Sequence, residues 1–288
     1  MDIDQAYRHC LHRARNHYEN FPVASWLLPR PLRGPVAVVY AFSRTADDLA
    51  DEGDLSPQAR LQALEDYRAR LHQAAHGHPD DDPVFIALAD LFQRHRLPVQ
   101  PFHDLITAFT WDVTRHRYAN FSELLEYCRH SANPVGRILL HLWGEDDPLN
   151  LAQSDAICTA LQLINFYQDL AQDYHELGRI YLPQDDMARH GVSEDHFRHR
   201  RSDAALRALM REQRERAREL LRQGADLPRR LPGRLGLEIA FIVAGGLRVL
   251  DRLDRIDHDL FARPRLGLGD WLRVSGKALL GALPPPRH

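Results

Sequence analysis

Asp47 and Asp51 stand four residues apart within Arg44-Thr45-Ala46-Asp47-Asp48-Leu49-Ala50-Asp51. On a helix that interval puts both carboxylates on one face, with Cβ atoms about 6 Å apart. Further along, Asn165, Asp169 and Asp173 repeat at the same interval. Like charges so placed destabilise a helix by about 0.2–0.5 kcal/mol per pair. No Arg or Lys lies three or four residues from Asp169 or Asp173 to offset them. One reading is a pair of solvated acidic faces, with Asp48 simply pairing with Arg44 at i,i+4. The other is a hard divalent cation, since carboxylate oxygens are the ligands that Mg²⁺ takes, with a phosphate completing its shell. Apolar residues 36–42 precede the first segment and 161–166 lead into the second, which is unlike an exposed helix and favours the cation. The chemistry so implied is metal-assisted loss of diphosphate: the metal neutralises the leaving group while an apolar pocket shelters a carbocation. Arg44, beside the first pair, suits a clamp on phosphate oxygens.

The elements that must position these residues read as helices. Ile3, Ala6, Tyr7, Cys10, Leu11 and Ala14 follow a helical apolar rhythm. Helices are expected over 32–51, 57–75, 83–95, 101–116, 121–130 and 135–143, the last after a break at Asn133-Pro134. One long helix is expected over 151–174, ended by Leu177-Gly178. Others follow over 203–225, 235–260 and 268–280, with 183–191 irregular or a short helix. No alternating strand stands out. The expectation is an all-α fold of roughly a dozen helices, several near 20 residues and hence about 30 Å long.

Composition narrows the function classes. The 288 residues are 44% hydrophobic and 27% charged, an ordinary globular balance with length for a large core. A formal net charge of −3 gives no basic field, which argues against nucleic acid as a partner. Cys10, Cys128 and Cys158 form no C-x-x-C pair, so neither a disulfide framework nor a zinc ribbon is expected and a reducing cytoplasm fits. Residues 1–5 lack the apolar stretch of a signal peptide. The longest apolar runs, 36–42 and 239–247, fall short of the ~20 residues of a membrane span. Among weaker candidates, His196 and His199 read as surface histidines. Arg198, Arg200 and Arg201 read as solvated or touching anionic lipid. Arg263-Pro264-Arg265 offers a further phosphate contact. Trp26, Phe42, Phe166 and Phe241 either pack the core or line a tunnel.

Residues 40–51, and the stretch from Gln162 through Asp173 to Pro183, resemble the two signatures of the squalene/phytoene synthase family. The resemblance runs from about Tyr7 to Leu266. It implies an all-α, single-domain isoprenoid-synthase bundle over residues 1–282 around a central apolar tunnel, with a disordered tail over 283–288. It implies three Mg²⁺ with diphosphate, held by Asp47, Asp51, Asn165, Asp169 and Asp173. Arg44 would contact the diphosphate and Tyr127 would lie near the reacting cation. Further substrate contacts carry over to Asn20, Phe21, Tyr40, Asp48, Ser131, Asn133, Gln162, Arg179 and Tyr181.

Three departures from the family pattern narrow the resemblance. Residues 18–23 replace the usual Ser-x-Ser-Phe, 127–136 replace Tyr-Cys-Tyr-x-Val-Ala-Gly-x-Val-Gly, and Gln168 replaces an Arg. They resemble the hydroxysqualene synthase (HpnC-like) branch of bacterial hopanoid biosynthesis. That branch implies conversion of presqualene diphosphate and water to hydroxysqualene and diphosphate, without NADPH. A presqualene diphosphate synthase would be the functional partner, and a peripheral position on the inner face of the membrane would suit so apolar a product. The alternatives are head-to-head condensation of two prenyl diphosphates to presqualene diphosphate, squalene or phytoene, and a non-catalytic assembly factor, against which the retained aspartates argue. Asn20, Ser131 and Asn133 either position a water, or 131–134 is a plain turn. Gln168 either removes a positive charge near the diphosphate or is a neutral surface position.

Overall fold

The structure, a computed structural model, describes residues 1–16, 29–264, 266, 267, 269, 270, 274, 275 and 278. Helices account for the regular structure, and no strand occurs among the described residues. In order they are α1 (Ile3–Asn16), α2 (Arg30–Asp51), α3 (Pro57–Ala75), α4 (Pro83–His95), α5 (Gln100–Thr114), α6 (Phe121–Ser131) and α7 (Asn133–Trp143). Then come α8 (Pro148–Gln168), α9 (Leu170–Leu177), α10 (Gln184–Arg189), α11 (Glu194–Arg198), α12 (Ala204–Gln223), α13 (Leu227–Arg230) and α14 (Gly233–Arg255). Asn20, Phe21, Trp26, Arg265 and the tail over 283–288 lie outside the described residues.

Local chemistry sets most boundaries where the sequence places them. Ser56 Oγ accepts from Ala59 N at 3.2 Å with Pro57 in the first turn of α3, and Asp82 Oδ1 accepts from Val84 N at 2.8 Å to open α4. Two expectations change. The helix expected over 151–174 is two helices, α8 and α9, which part at Asp169. Asn133-Pro134 does not break the chain into a loop: only Ala132 separates α6 from α7, and Pro134 sits in the first turn of α7, where its missing N–H leaves no bond unmade.

The chain divides into two compact units, Met1–Thr114 with Pro134–Asp147, and Arg115–Asn133 with Pro148–His288. In the first, α2 packs against α1, α3, α4 and α5. Its core is aromatic: Phe42 lies 5.0 Å from Tyr67 and 5.3 Å from Phe102 between ring centroids. Tyr67 Oη donates to the Phe42 carbonyl at 3.1 Å, so the buried phenol is satisfied. Phe42 is therefore a core residue. It fixes α2 five residues ahead of Asp47.

In the second unit α8 packs against α6, α12, α13 and α14. Gly246 of α14 permits a close approach, since a Cβ there would meet Leu161 Cδ2 at 3.0 Å. Buried charges are paired. Arg214 of α12 holds Asp254 at 2.9 Å and Asp257 at 2.8 Å. His196, expected at the surface, is buried and bonds Asp203 Oδ2 through Nε2 at 3.1 Å. Asp186 of α10 is 2% exposed and accepts from Gln213 Nε2 at 2.8 Å, from Arg189 Nη2 at 2.7 Å and from Arg216. It anchors the segment after α9, whose backbone runs along residues 116–119: Ile180 N donates to His116 O at 3.0 Å, Gln184 N to Tyr118 O at 2.9 Å and Asp185 N to Ala119 O at 3.0 Å.

Burial alone would raise the Asp186 carboxyl, but the bonds from Arg216, Gln213 and Arg189 outweigh it and hold it below the usual carboxylate range. Its contribution to stability is thus present above the unfolded value, near pH 4, and is lost as pH falls through the lower folded value. Asp186→Asn is expected to lower stability at pH 7 by about 1–3 kcal/mol, with the gap to wild type closing below about pH 4. Urea unfolding at both pH values checks this; an equal loss at each would remove the charge from the account.

Candidate active site

The first acidic segment closes α2. Asp47, Asp48, Asp51 and Glu52 cluster where the helix has no basic residue in its last turn. Negative charges there oppose the macrodipole, at about 0.3–1 kcal/mol each. Arg44 answers three of them: Nη1 lies 2.9 Å from Asp47 Oδ2, Nε lies 2.7 Å from Asp48 Oδ1, and Nη2 pairs with Glu52. Arg13 of α1 holds the other Asp48 oxygen at 2.5 Å. Arg60 of α3 caps the helix end, donating to Glu52 O at 2.9 Å and Gly53 O at 2.6 Å. The expected Arg44–Asp48 pair is present. Asp48 is held by two arginines, while the Asp47 side chain keeps 36% of its surface exposed.

The second segment spans the break between α8 and α9. Asp169 departs from helical geometry at ψ 18°, yet the ladder survives on both sides: Asp169 N donates to Asn165 O at 3.0 Å and Asp173 N to Asp169 O at 2.8 Å. The three side chains therefore keep their stripe through the break. Gly178 ends α9 in the left-handed region at φ 66°. The Asp169 side chain is only 18% exposed. Burial pushes its carboxyl above the usual range, and Arg263 pulls it part of the way back. Arg263 makes a two-point pair, Nε to Oδ1 at 2.6 Å and Nη2 to Oδ2 at 3.1 Å. Gln168 is not a surface position: it is buried, and its Nε2 donates to the Pro264 carbonyl at 3.1 Å.

Aromatic rings gather in the same unit. Phe166, next to Asn165 on α8, stacks on Tyr181 with 3.7 Å between centroids and 6° between planes. Tyr127 of α6 lies 6.0 Å from Phe166 and 5.8 Å from Tyr181, and Tyr118 lies 5.5 Å from Tyr127. Tyr181 owes its place to the backbone pairing of residues 180–185 with 116–119. Such ring faces present negative potential to a cation. Asn133 is buried and its Oδ1 accepts from Thr159 at 2.9 Å. Ser131 Oγ and Tyr167 Oη are buried and make no hydrogen bond among the described residues. Tyr40 lies one turn before Arg44 on α2, Gln162 one turn before Phe166 on α8, and Arg179 is buried just after α9.

The family model for squalene/phytoene synthases matches residues 14–271. The chain belongs to the squalene/phytoene synthase family. Among curated relatives, the hydroxysqualene synthase of Rhodopseudomonas palustris is 36% identical over 240 residues, covering 83% of this chain and 80% of that protein. The hydroxysqualene synthase of Zymomonas mobilis is 37% identical over 227 residues, 78% of this chain and 75% of its own. Among solved structures, squalene synthase HpnC from Alicyclobacillus acidocaldarius superposes with a TM-score of 0.83 at 36% identity, over 89% of this chain and 96% of that one. The fold is thus the all-α isoprenoid-synthase bundle, and the family is one of enzymes. Among the described residues no three His, Cys, Asp or Glu side chains converge as a ready metal cage. Carboxylates at i,i+4 spacing still fit Mg²⁺, which keeps water and takes phosphate oxygens rather than an all-protein cage. The desolvated Asp169 carboxylate, with the Asn165 amide oxygen and the Asp173 carboxylate on its stripe, is chemically suited to it.

Three contributors carry no local signal in the sequence. Arg13, Arg60 and Tyr118 reach their partners only through helix packing or the 180–185 pairing. Tyr181→Ala, which empties the stack, is expected to lower stability by about 3–5 kcal/mol, whereas Tyr181→Phe should lose no more than about 1.5 kcal/mol. Chemical denaturation of the two variants separates ring packing from the hydroxyl.

Proposed function

We propose that this enzyme converts presqualene diphosphate and water to hydroxysqualene and diphosphate, with Mg²⁺. The observation that carries the reading is the similarity to hydroxysqualene synthases over about four fifths of the chain, with both acidic segments intact. The chemistry of the site supports it. Asp47, Asp51, Asn165, Asp169 and Asp173 would hold the metal, which neutralises charge on the departing diphosphate. Arg44 donates to the diphosphate oxygens through the planar fork that now serves Asp47 and Asp48. Tyr127, Phe166 and Tyr181 form an aromatic wall beside the carbocation and keep bulk water out. Ser131, whose buried hydroxyl has no hydrogen-bond partner among the described residues, holds the one water that captures the cation, and that water passes its proton to the released diphosphate. Asn133 supports the same wall through Thr159. Water replaces hydride, so no nicotinamide cofactor is required.

No described helix is long and apolar enough to cross a membrane. We place the enzyme in the cytoplasm, at the inner face of the membrane that receives its apolar product, next in sequence to a presqualene diphosphate synthase. One domain over residues 1–282 is part of the same reading.

Purified protein with Mg²⁺ and presqualene diphosphate, without nicotinamide, is expected to yield a hydroxylated C30 alcohol by mass spectrometry. Consumption of farnesyl diphosphate alone would instead support head-to-head condensation. Asp47→Ala and Asp169→Ala are each expected to lower turnover by at least about 10²–10³ with helical content and melting retained. Full activity in either would overturn the ligand assignment.

A further inference from the structure

Asp169 has no cation at helical spacing on its own element, yet it is largely buried. A buried carboxylate left unpaired costs several kcal/mol, on the order seen when one partner of a buried pair is removed. Its counter-charge comes from 94 residues away, as the two-point pair with Arg263. The pair is asymmetric. Asp169 is fixed by the helix ladder and 18% exposed, whereas Arg263 is 42% exposed and follows α14 on irregular chain. Gln168 holds that chain by its bond to the Pro264 carbonyl, and Gln172 Oε1 lies 3.5 Å from Arg263 Nη1. Asp169 and Arg263 both line a cleft of about 170 Å³, room for several waters.

We propose that Arg263 is a tethered competitor for the metal: its guanidinium and a divalent cation take the same two oxygens of Asp169, and metal loading swings Arg263 off into the cleft. Gln168 sets the strength of the competition through its grip on Pro264. This rests on the reading of Asp169 as a metal ligand. Arg263 stabilises Asp169 as a charged group and lowers its apparent affinity for metal in proportion to the time the pair is closed.

The probe is Mn²⁺ binding without substrate, followed by loss of the free-ion electron paramagnetic resonance signal. Arg263→Gln is expected to bind Mn²⁺ at least about five-fold more tightly than wild type. Gln168→Ala removes the tether without changing charge, and should tighten binding in the same direction. Arg200→Gln, at a cleft residue that is not an ion-pair partner of Asp169, controls for bulk charge and should change affinity less than two-fold, about 0.4 kcal/mol. Equal affinity in wild type, Arg263→Gln and Gln168→Ala overturns the competition while leaving the metal reading intact. An Arg200→Gln gain as large as that of Arg263→Gln, with Gln168→Ala unchanged, overturns it in favour of general electrostatics. No Mn²⁺ binding by any folded variant overturns the metal reading itself, and the competition with it.

Discussion

The constraint on which the rest of the structure depends is the concentration of carboxylates at the end of α2 and across the break between α8 and α9. Neither segment holds them unaided. At the end of α2 the acids oppose both one another and the macrodipole, a combined penalty of about one to a few kcal/mol. That is a sizeable fraction of the whole stability of a domain. Among the described residues arginines answer Asp47, Asp48 and Glu52, and they come from another element as well as from α2. Arg13 on α1 and Arg60 on α3 reach in, so the packing of the first unit is also its charge balance. In the second unit the same need is met from far along the chain by Arg263.

Arginine suits this role for a physical reason. Its planar fork bonds two oxygens at once and stays charged at any working pH, so one Arg44 can answer Asp47, Asp48 and Glu52 together. A lysine would bind as a point charge and leave part of the cluster uncompensated. The apolar side of the design is equally specific. Phe42 locks α2 into an aromatic core, and Phe166 locks α8 against Tyr181. Phe42 lies on the same helix as Asp47 and five residues before it, and Phe166 lies on α8 three residues before Asp169 at the break with α9, so packing fixes the phase in which the carboxylates emerge.

Much of this was legible from residue types alone. The Ser56-Pro57 pair marks a helix start because a cap and a first-turn proline act locally, and Pro83 marks another, whose cap Asp82 the structure adds. The three-and-four apolar rhythm over residues 3–14 matches α1. The acidic stripes were legible because helical spacing is itself a local property. What escaped was non-local. The break at Asp169 leaves the i to i+4 hydrogen bonds in place, so nothing in the spacing betrays it. Asn133-Pro134 has the composition of a turn but the geometry of a helix start, since proline fits both. Arg13 and Arg60 carry no signal in the sequence and Arg263 reads only as a phosphate contact; tertiary packing alone shows that Arg13 answers Asp48, that Arg263 answers Asp169 and that Arg60 caps backbone carbonyls at the end of α2. Gln168 looked compatible with an exposed neutral site, and its burial against Pro264 depends on a segment nearly a hundred residues away.

That last contact bears on why a neutral side chain suits position 168. A guanidinium built into α8 beside Asp169 would be a permanent positive charge, fixed by the helix and present whether or not a divalent ion were bound. The glutamine separates two jobs that one arginine would combine. Its amide supplies a tether without charge, and Arg263 supplies charge on irregular chain that can leave. On the proposed competition, a positive charge that can withdraw serves Asp169 in both conditions. It offsets the desolvated carboxylate when no metal is there, and it spares an arriving cation the repulsion of a fixed neighbour, which at close range in a partly buried site amounts to about 4 kcal/mol. Removability, more than the number of positive charges, is then what this stretch of sequence sets.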